Sequence, residues 1–256
     1  MDESMTPAAA SAALADIAAM RRERFAATAA VFSRETPAEA VRHMVIEAAA
    51  AAGALDASAE DRLGQALAAL ACDDMESLAT TTRTEYARLF LGPREVMAPL
   101  HESAYLSGVS RMFTAETLAV RRFYEGHGYI MKAKNREPED AIGTELEFMR
   151  NLCDGLLAAL GPEASREAAD GTVAAASAES AEPAAVDPAA VAALLRTQRA
   201  FAEQHLSRWA QRFTARVREH DRSGFYAAWA RYLDEVLAED AALEEESERL
   251  AAMLTA

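Results

Sequence analysis

The chain has only 2 cysteines in 256 residues, Cys72 and Cys153. Neither sits in a CxxC pair or a Cys/His cluster, so the sequence carries no metal or redox motif. A bridge between them is compatible with the sequence, but nothing else marks a secreted disulfide scaffold, and two buried, reduced thiols are expected. Positive charge is also short: 26 Lys and Arg stand against 41 Asp and Glu, a formal net charge of -15. Such a balance repels phosphate backbones and attracts basic peptides, so nucleic acid is not an expected partner. No apolar run approaches the roughly 20 residues that span a bilayer, so no membrane insertion is expected and a cytoplasmic location is. Arg21-Arg22 superficially resembles a twin-arginine export signal. Arg24 and Phe25, a short alanine-rich stretch, and then Arg34 and Glu35 follow it, with no sustained hydrophobic region or cleavage site.

Catalytic signatures are missing as well. There is no GxxxxGK[ST], GxGxxG, GxSxG or HExxH. His43 and Glu47 share a helix face but lack the further ligands a metal needs. His101 beside Glu102 has the form of a general base, but no nucleophile is placed near it by sequence. No cofactor is implied and no enzyme activity is signalled. A helical hydrolase or nucleotide-binding enzyme remains as an alternative of a different class, without a motif to support it.

What the chain has in abundance is helix-forming sequence. Hydrophobic residues make up 51 %, and much of that share is alanine, which favours helix more than it fills a core. Apolar spacing is near 3.6 throughout and nowhere alternates as in a strand, so an all-α bundle is expected. The first helix is predicted from Pro7 to Phe32, with Leu14, Ile17, Arg21, Phe25 and Thr28 on one stripe. Thr36-Pro37-Ala38-Glu39 reads as a capping box for a second helix ending near Gly53. Ser58 and Thr114 read as caps of further helices, and one through Tyr86, Leu89 and Phe90 stops at Gly92-Pro93. Glu137-Pro138-Glu139-Asp140 reads as a helix start, with Ile142, Leu146, Met149, Leu152 and Leu156 as the buried stripe behind it. Asp187-Pro188 restarts helix, and Leu194, Leu195, Phe201, Leu206, Trp209 and Phe213 face inward. The acidic C-terminal run, Asp234 to Glu248, reads as a solvated face.

Two stretches break the helical pattern. Residues 91–110 combine Pro93, Pro99, Gly92 and Gly108 with Met97, Leu100, Tyr105 and Leu106, and an apolar loop of that length either covers a core or carries function. Residues 161–187 are Ala, Glu, Ser, Pro and Asp with almost no bulky apolar side chain, the composition of a flexible insert. The expected organisation is an N-terminal helical portion, 1–160, the insert, 161–187, and a C-terminal helical portion, 188–256.

One constellation stands out. Glu85-Tyr86-Ala87-Arg88-Leu89-Phe90-Leu91-Gly92-Pro93 is followed by Pro99 and by Glu102-Ser103-Ala104-Tyr105. Later come Glu137-Pro138-Glu139-Asp140 and Glu145-Leu146-Glu147-Phe148-Met149. An apolar surface beside carboxylates suits a peptide with hydrophobic and arginine parts, because Arg–carboxylate pairs are bidentate and charge-assisted. The same residues also read as a capped helix and a proline-braced loop with no client at all.

The ordered set E-Y-x-x-L-F-x-G-P, P-x-x-E-S-x-Y, E-P-x-D and E-L-x-F-M resembles the TorD/DmsD family of redox-enzyme maturation chaperones. Gln204-His205-Leu206, Trp209, Phe225-Tyr226 and Leu233 continue the resemblance, which spans about Thr82 to Asp240. It implies an all-α bundle of two helical portions joined by a hinge near E-P-x-D. It also implies binding of the twin-arginine leader, or the apo form, of a molybdopterin oxidoreductase of the dimethyl sulfoxide or trimethylamine N-oxide reductase type. The alternative within the same fold is a nitrate-reductase-type assembly chaperone whose client has no leader. Carried over by motif, the client-binding candidates are Tyr86, Leu89, Phe90, Pro99, Ser103, Tyr105, Pro138 and Asp140. Glu102 and Glu145 join them as arginine partners. The resemblance allows a monomer or a domain-swapped dimer. One position departs from the pattern: Ala141 stands where the family commonly has histidine after E-P-x-D.

Overall fold

The computed structural model describes residues 5–51, 58–92, 96–107, 114–130, 138–161 and 186–255. Its helices, in chain order, are α1 (Pro7–Ser33), α2 (Ala38–Ala51), α3 (Ala59–Ala68), α4 (Met75–Tyr86), α5 (Glu102–Leu106), α6 (Ala115–Gly126), α7 (Ile142–Leu160), α8 (Pro188–Phe201), α9 (Ser207–His220) and α10 (Phe225–Met253). The described residues contain no strand; the single β-type pairing is an isolated antiparallel bridge between His101 and Ala141. The protein is all-α.

The local signals explain most boundaries. Thr6 Oγ1 accepts from Ala9 N at the start of α1. Ser58 and Asp61 form a reciprocal capping box on α3, and Thr114 and Thr117 do the same for α6. Each satisfies two of the amides that a helix start leaves open. Asp187 accepts from Ala189 N and Ala190 N, with Pro188 at the first helical position of α8. After α4 the backbone widens into a π turn, Ala87–Leu91, and ends at Gly92, whose φ of 36° is costly for a residue with a Cβ. A second π turn, Ala202–Leu206, joins α8 to α9.

Two expected features fall partly outside the described residues. Of 161–187, only Gly161, Val186 and Asp187 are described. Asp187 N donates to Ala159 O at 2.9 Å, so the two ends of that stretch lie side by side. Gly53, Pro93, Gly108 and Glu137 also lie outside.

The chain divides into two compact units, each drawn from separate segments. Helices α1, α7 and α10 each contribute residues to both units. The first unit comprises Met1–Ala26, Leu146–Ala202 and Glu239–Ala256. Its core packs Ala10, Leu14, Ala18, Leu156, Leu160, Val191, Leu195 and Leu250. Alanines let the helix backbones approach closely, and the leucines fill the rest.

A polar network is sealed into this unit. Arg21, 1 % exposed, forks onto Asp240 through Nε to Oδ1 at 2.7 Å and Nη2 to Oδ2 at 3.0 Å. Nη1 donates to Gln198 Oε1 at 2.5 Å, and Nη2 reaches Glu244 Oε1 at 3.3 Å. Burial disfavours the guanidinium charge, but Asp240, with a smaller contribution from Glu244, overcomes it and holds Arg21 protonated. The acidic C-terminal run is therefore not wholly a solvated face: Asp240 and Glu244 point inward and bind the buried arginine. The thiols also differ from expectation. Both are free, but Cys72 is exposed. Cys153 is buried, and burial pushes its thiol up to about 12.

The second unit comprises Ala27–Glu145 and Glu203–Ala238. Its centre is aromatic. Phe90 meets Tyr86 at 4.9 Å, Tyr226 at 5.4 Å, and Phe32 and Phe213 at 6.1 Å between ring centroids. Most of these contacts are edge-to-face, an arrangement worth about 0.5–1.5 kcal/mol per pair beyond burial. Glu85 secures the chain next to this cluster, accepting from Arg88 and from Arg222 N.

Candidate functional site

The two motif segments meet within the second unit. Ile142 N donates to Leu100 O and Glu102 N to Asp140 O, each at 2.8 Å. These bonds flank the His101–Ala141 bridge and pin the apolar loop against the E-P-x-D turn. The turn is not the helix start expected from its sequence. Glu139 and Asp140 form a turn, and α7 begins only at Ile142. The reason lies in Asp140, whose Oδ2 accepts from Ser103 N at 3.0 Å and so caps α5 instead.

Four buried carboxylates line this junction: Glu102, Glu139, Asp140 and Glu145 are each 0–1 % exposed. Glu102 Oε2 lies 3.1 Å from His205 Nδ1, and its Oε1 is 3.9 Å from Arg208 Nη1. Glu139 accepts from Arg121 Nε at 2.7 Å, and its carbonyl accepts from the Tyr124 hydroxyl at 3.3 Å. Glu145 accepts from Trp209 Nε1 at 3.2 Å. Burial first, then the neighbouring charges of Glu102 and Asp140, raise the Glu145 carboxyl well above its ordinary range. Asp140 Oδ1, Glu139 Oε2 and Glu145 Oε1 have no hydrogen-bond partner among the described residues. Burial also lowers the pKa of His101, with Asp140 opposing, which leaves its imidazole neutral.

The structure brings together most of the residues expected at the site, though not in one role. Ser103, Asp140, Glu102 and Glu145 form the buried polar layer. Tyr86, Leu89 and Phe90 are buried in the aromatic centre. Ala98 N donates to Leu89 O at 2.9 Å, which joins that centre to the loop. Tyr105 connects the two layers. It lies 5.4 Å from Trp209 and 6.5 Å from Phe213, and its carbonyl accepts from Arg212 at 2.7 Å. Pro99, Tyr105 and Pro138 are the partly exposed members. Sequence reasoning assigned no site role to His205, Trp209, Arg121 or Tyr124, yet each holds a motif carboxylate or its backbone. Gln204-His205-Leu206 and Trp209 were legible as a recurring run; the pairing of His205 with Glu102 and of Trp209 with Glu145, 103 and 64 positions earlier, was not.

The fold and the interlocked motif segments define a class first: an all-α protein built around a carboxylate-rich turn clamped to an apolar loop. Two comparisons identify it further. Residues 52–175, which span both segments, match a family model described as nitrate reductase delta subunit. A probable Tat proofreading chaperone DmsD from Haemophilus influenzae is 34 % identical over 70 residues. That match covers 27 % of this chain and 34 % of the relative, so the chain spans about a third of the length of the relative it matches. Both matches support the resemblance to the TorD/DmsD family of redox-enzyme maturation chaperones.

Proposed function

We propose that the protein is a cytoplasmic chaperone that holds the apo form of a molybdopterin oxidoreductase, through its twin-arginine leader, until cofactor insertion is complete. The observation that carries this reading is the junction itself. An apolar loop with Leu91, Pro99, Leu100, Tyr105 and Leu106 at least partly exposed, and with Pro138 partly exposed in the facing turn, lies beside four buried carboxylates. In this arrangement Tyr86, Leu89, Phe90, Ser103 and Asp140 shape the surface, and the exposed loop residues contact the client's apolar side chains. Client arginines are drawn to the carboxylate of Glu102 by opening of the loop, a guanidinium exchanging with the partners it now holds, and one that reaches Glu145 displaces the proton that its raised pKa favours. No bond of the client is made or broken.

Calorimetric titration with the twin-arginine leader peptide of a dimethyl sulfoxide reductase-type enzyme tests the reading. Saturable binding that weakens when both leader arginines become glutamine supports it. Absence of heat with both that leader and the apoprotein overturns it. The family model's description favours a second reading, assembly of a nitrate-reductase-type enzyme without a leader. That reading predicts binding to the apo subunit and none to a leader.

A further inference from the structure

An open groove of about 710 Å³ lies on the second unit, lined by Ala119, Arg122, Phe123, Glu203, Gln204, His205 and Arg208. None of these residues belongs to the client-binding set. The volume falls within the range of sites that enclose small ligands or short peptide anchors.

The walls are built rather than incidental. One is the face of α6 that carries Ala119, Arg122 and Phe123; the other is the π turn Ala202–Leu206 and the first turn of α9. π turns recur at functional sites because they re-aim side chains that a regular helix would hide. Phe123 forms an apolar wall, stacked on His127 at 4.4 Å and edge-on to His205 at 5.6 Å. His205 is itself buried and fixed by Glu102 at 3.1 Å.

The charge of the groove runs against that of the chain. The chain carries -15, yet the groove presents two exposed guanidinium groups against one carboxylate, Glu203. Arg122 is held by its own helix and Arg208 by the π turn that precedes its helix. Arg122 Nε donates to Leu118 O at 3.1 Å, and Arg208 Nη1 to Gln204 O at 3.2 Å. Arg208 is 54 % exposed and reaches no closer than 3.9 Å to Glu102. A preset pair of cations flanking an aromatic wall fits an extended ligand with carboxylates on either side of an apolar side chain. It repels the arginines of a leader.

We infer that this groove is a second docking site, for an acidic peptide segment with an apolar anchor, with Arg122 and Arg208 pairing its carboxylates and Phe123 packing its anchor. The site adjoins the leader site of the proposed function through His205 and Arg208, which face Glu102, and takes ligand of the opposite charge.

The test uses the full chain and a fluorescein-labelled peptide alternating Asp and Leu, with its Asn/Leu counterpart as control, followed by fluorescence anisotropy. The acidic peptide binds saturably and the Asn form weakens by about tenfold or more. Arg122→Glu weakens binding by about tenfold, the loss expected from reversing one rim charge, while Arg122→Lys retains most of it. Rising salt weakens the complex. Circular dichroism confirms that the exposed-site variants stay folded. A leader peptide titrated in parallel against Arg122→Glu keeps its wild-type behaviour, whether or not it binds, which separates this site from the leader reading. Equal affinity of wild type and Arg122→Glu for the acidic peptide overturns the proposal. So does binding of inorganic phosphate or a nucleoside triphosphate at the groove without binding of the peptide. Concentration-dependent dimerisation abolished by Arg122→Glu, without peptide binding, overturns it in favour of a second copy as the occupant.

Discussion

Glu244→Gln isolates the energetic consequence of the buried polar network. Glu244 is 7 % exposed. Burial, and then the neighbouring Asp240 charge, raise its carboxyl from 4.5 to about 7, with Arg21 and Arg199 opposing and Glu248 adding slightly. A raised folded-state value means the unfolded chain gives up its proton first. The stability contribution is therefore full below pH 4.5, declines as pH rises towards 7, and is constant above. The span from 4.5 to about 7, at about 1.36 kcal/mol per pH unit, corresponds to about 3 kcal/mol. Glutamine keeps an acceptor for Arg21 Nη2 at 3.3 Å and cannot ionise. Urea unfolding of both proteins from pH 4 to pH 8, followed by circular dichroism, gives the difference curve. It should lie near zero at pH 4 and rise to about 2–3 kcal/mol in favour of Glu244→Gln at pH 8. A flat difference, or one largest in acid, refutes the assignment of the titration to Glu244.

Other perturbations test other parts of the molecule. Under native conditions one thiol per chain, Cys72, should react with an aromatic disulfide reagent, and both should react in urea, because Cys153 is buried with its thiol held up to about 12; rapid native reaction of both would contradict that burial. Phe90→Ala removes the ring at the middle of the aromatic cluster and should destabilise the protein by about 3–5 kcal/mol in chemical denaturation. Asp140→Asn keeps an oxygen for Ser103 N but loses the charge, so stability should fall by about 1 kcal/mol while leader or apoprotein affinity drops; unchanged affinity at matched stability would remove Asp140 from the client site.

Much of the fold was legible because its signals are local. Ser58, Thr114 and Asp187-Pro188 each start a helix by bonds within three residues, and the stripe Ile142, Leu146, Met149, Leu152 and Leu156 is wholly buried. The failures involve groups whose partners are distant in sequence. Asp140 reads as the first-turn acid of its own helix, yet it caps α5, 37 residues earlier. Asp240 and Glu244 read as solvated in an acidic run, yet Arg21 binds them across 219 and 223 residues. An acidic run shows no period that separates an inward carboxylate from an outward one. Only the position of Arg21 on the apolar stripe of α1, where a cation needs a buried partner, hinted at such a group. The candidate site follows the same division. Its motif segments were recognisable, whereas His205 and Trp209, which hold Glu102 and Glu145, are tied to them only by tertiary structure.

The departure at Ala141 acquires a geometric context from the bridge. Residues directly opposite in an antiparallel pair hold their Cβ atoms about 4.5–5.5 Å apart, and the residue opposite Ala141 is His101. An imidazole is thus present at the level of position 141, supplied by the apolar loop rather than by the E-P-x-D turn. Its environment differs from that of an exposed turn histidine. Burial lowers its pKa and keeps it neutral, and its Nδ1 lacks a partner among the described residues. A neutral ring adds no charge beside Asp140. The loss of a histidine at 141 removes a side chain from the turn without leaving the junction short of an imidazole, and this leaves Asp140, bonded to Ser103, as the acidic end of the motif.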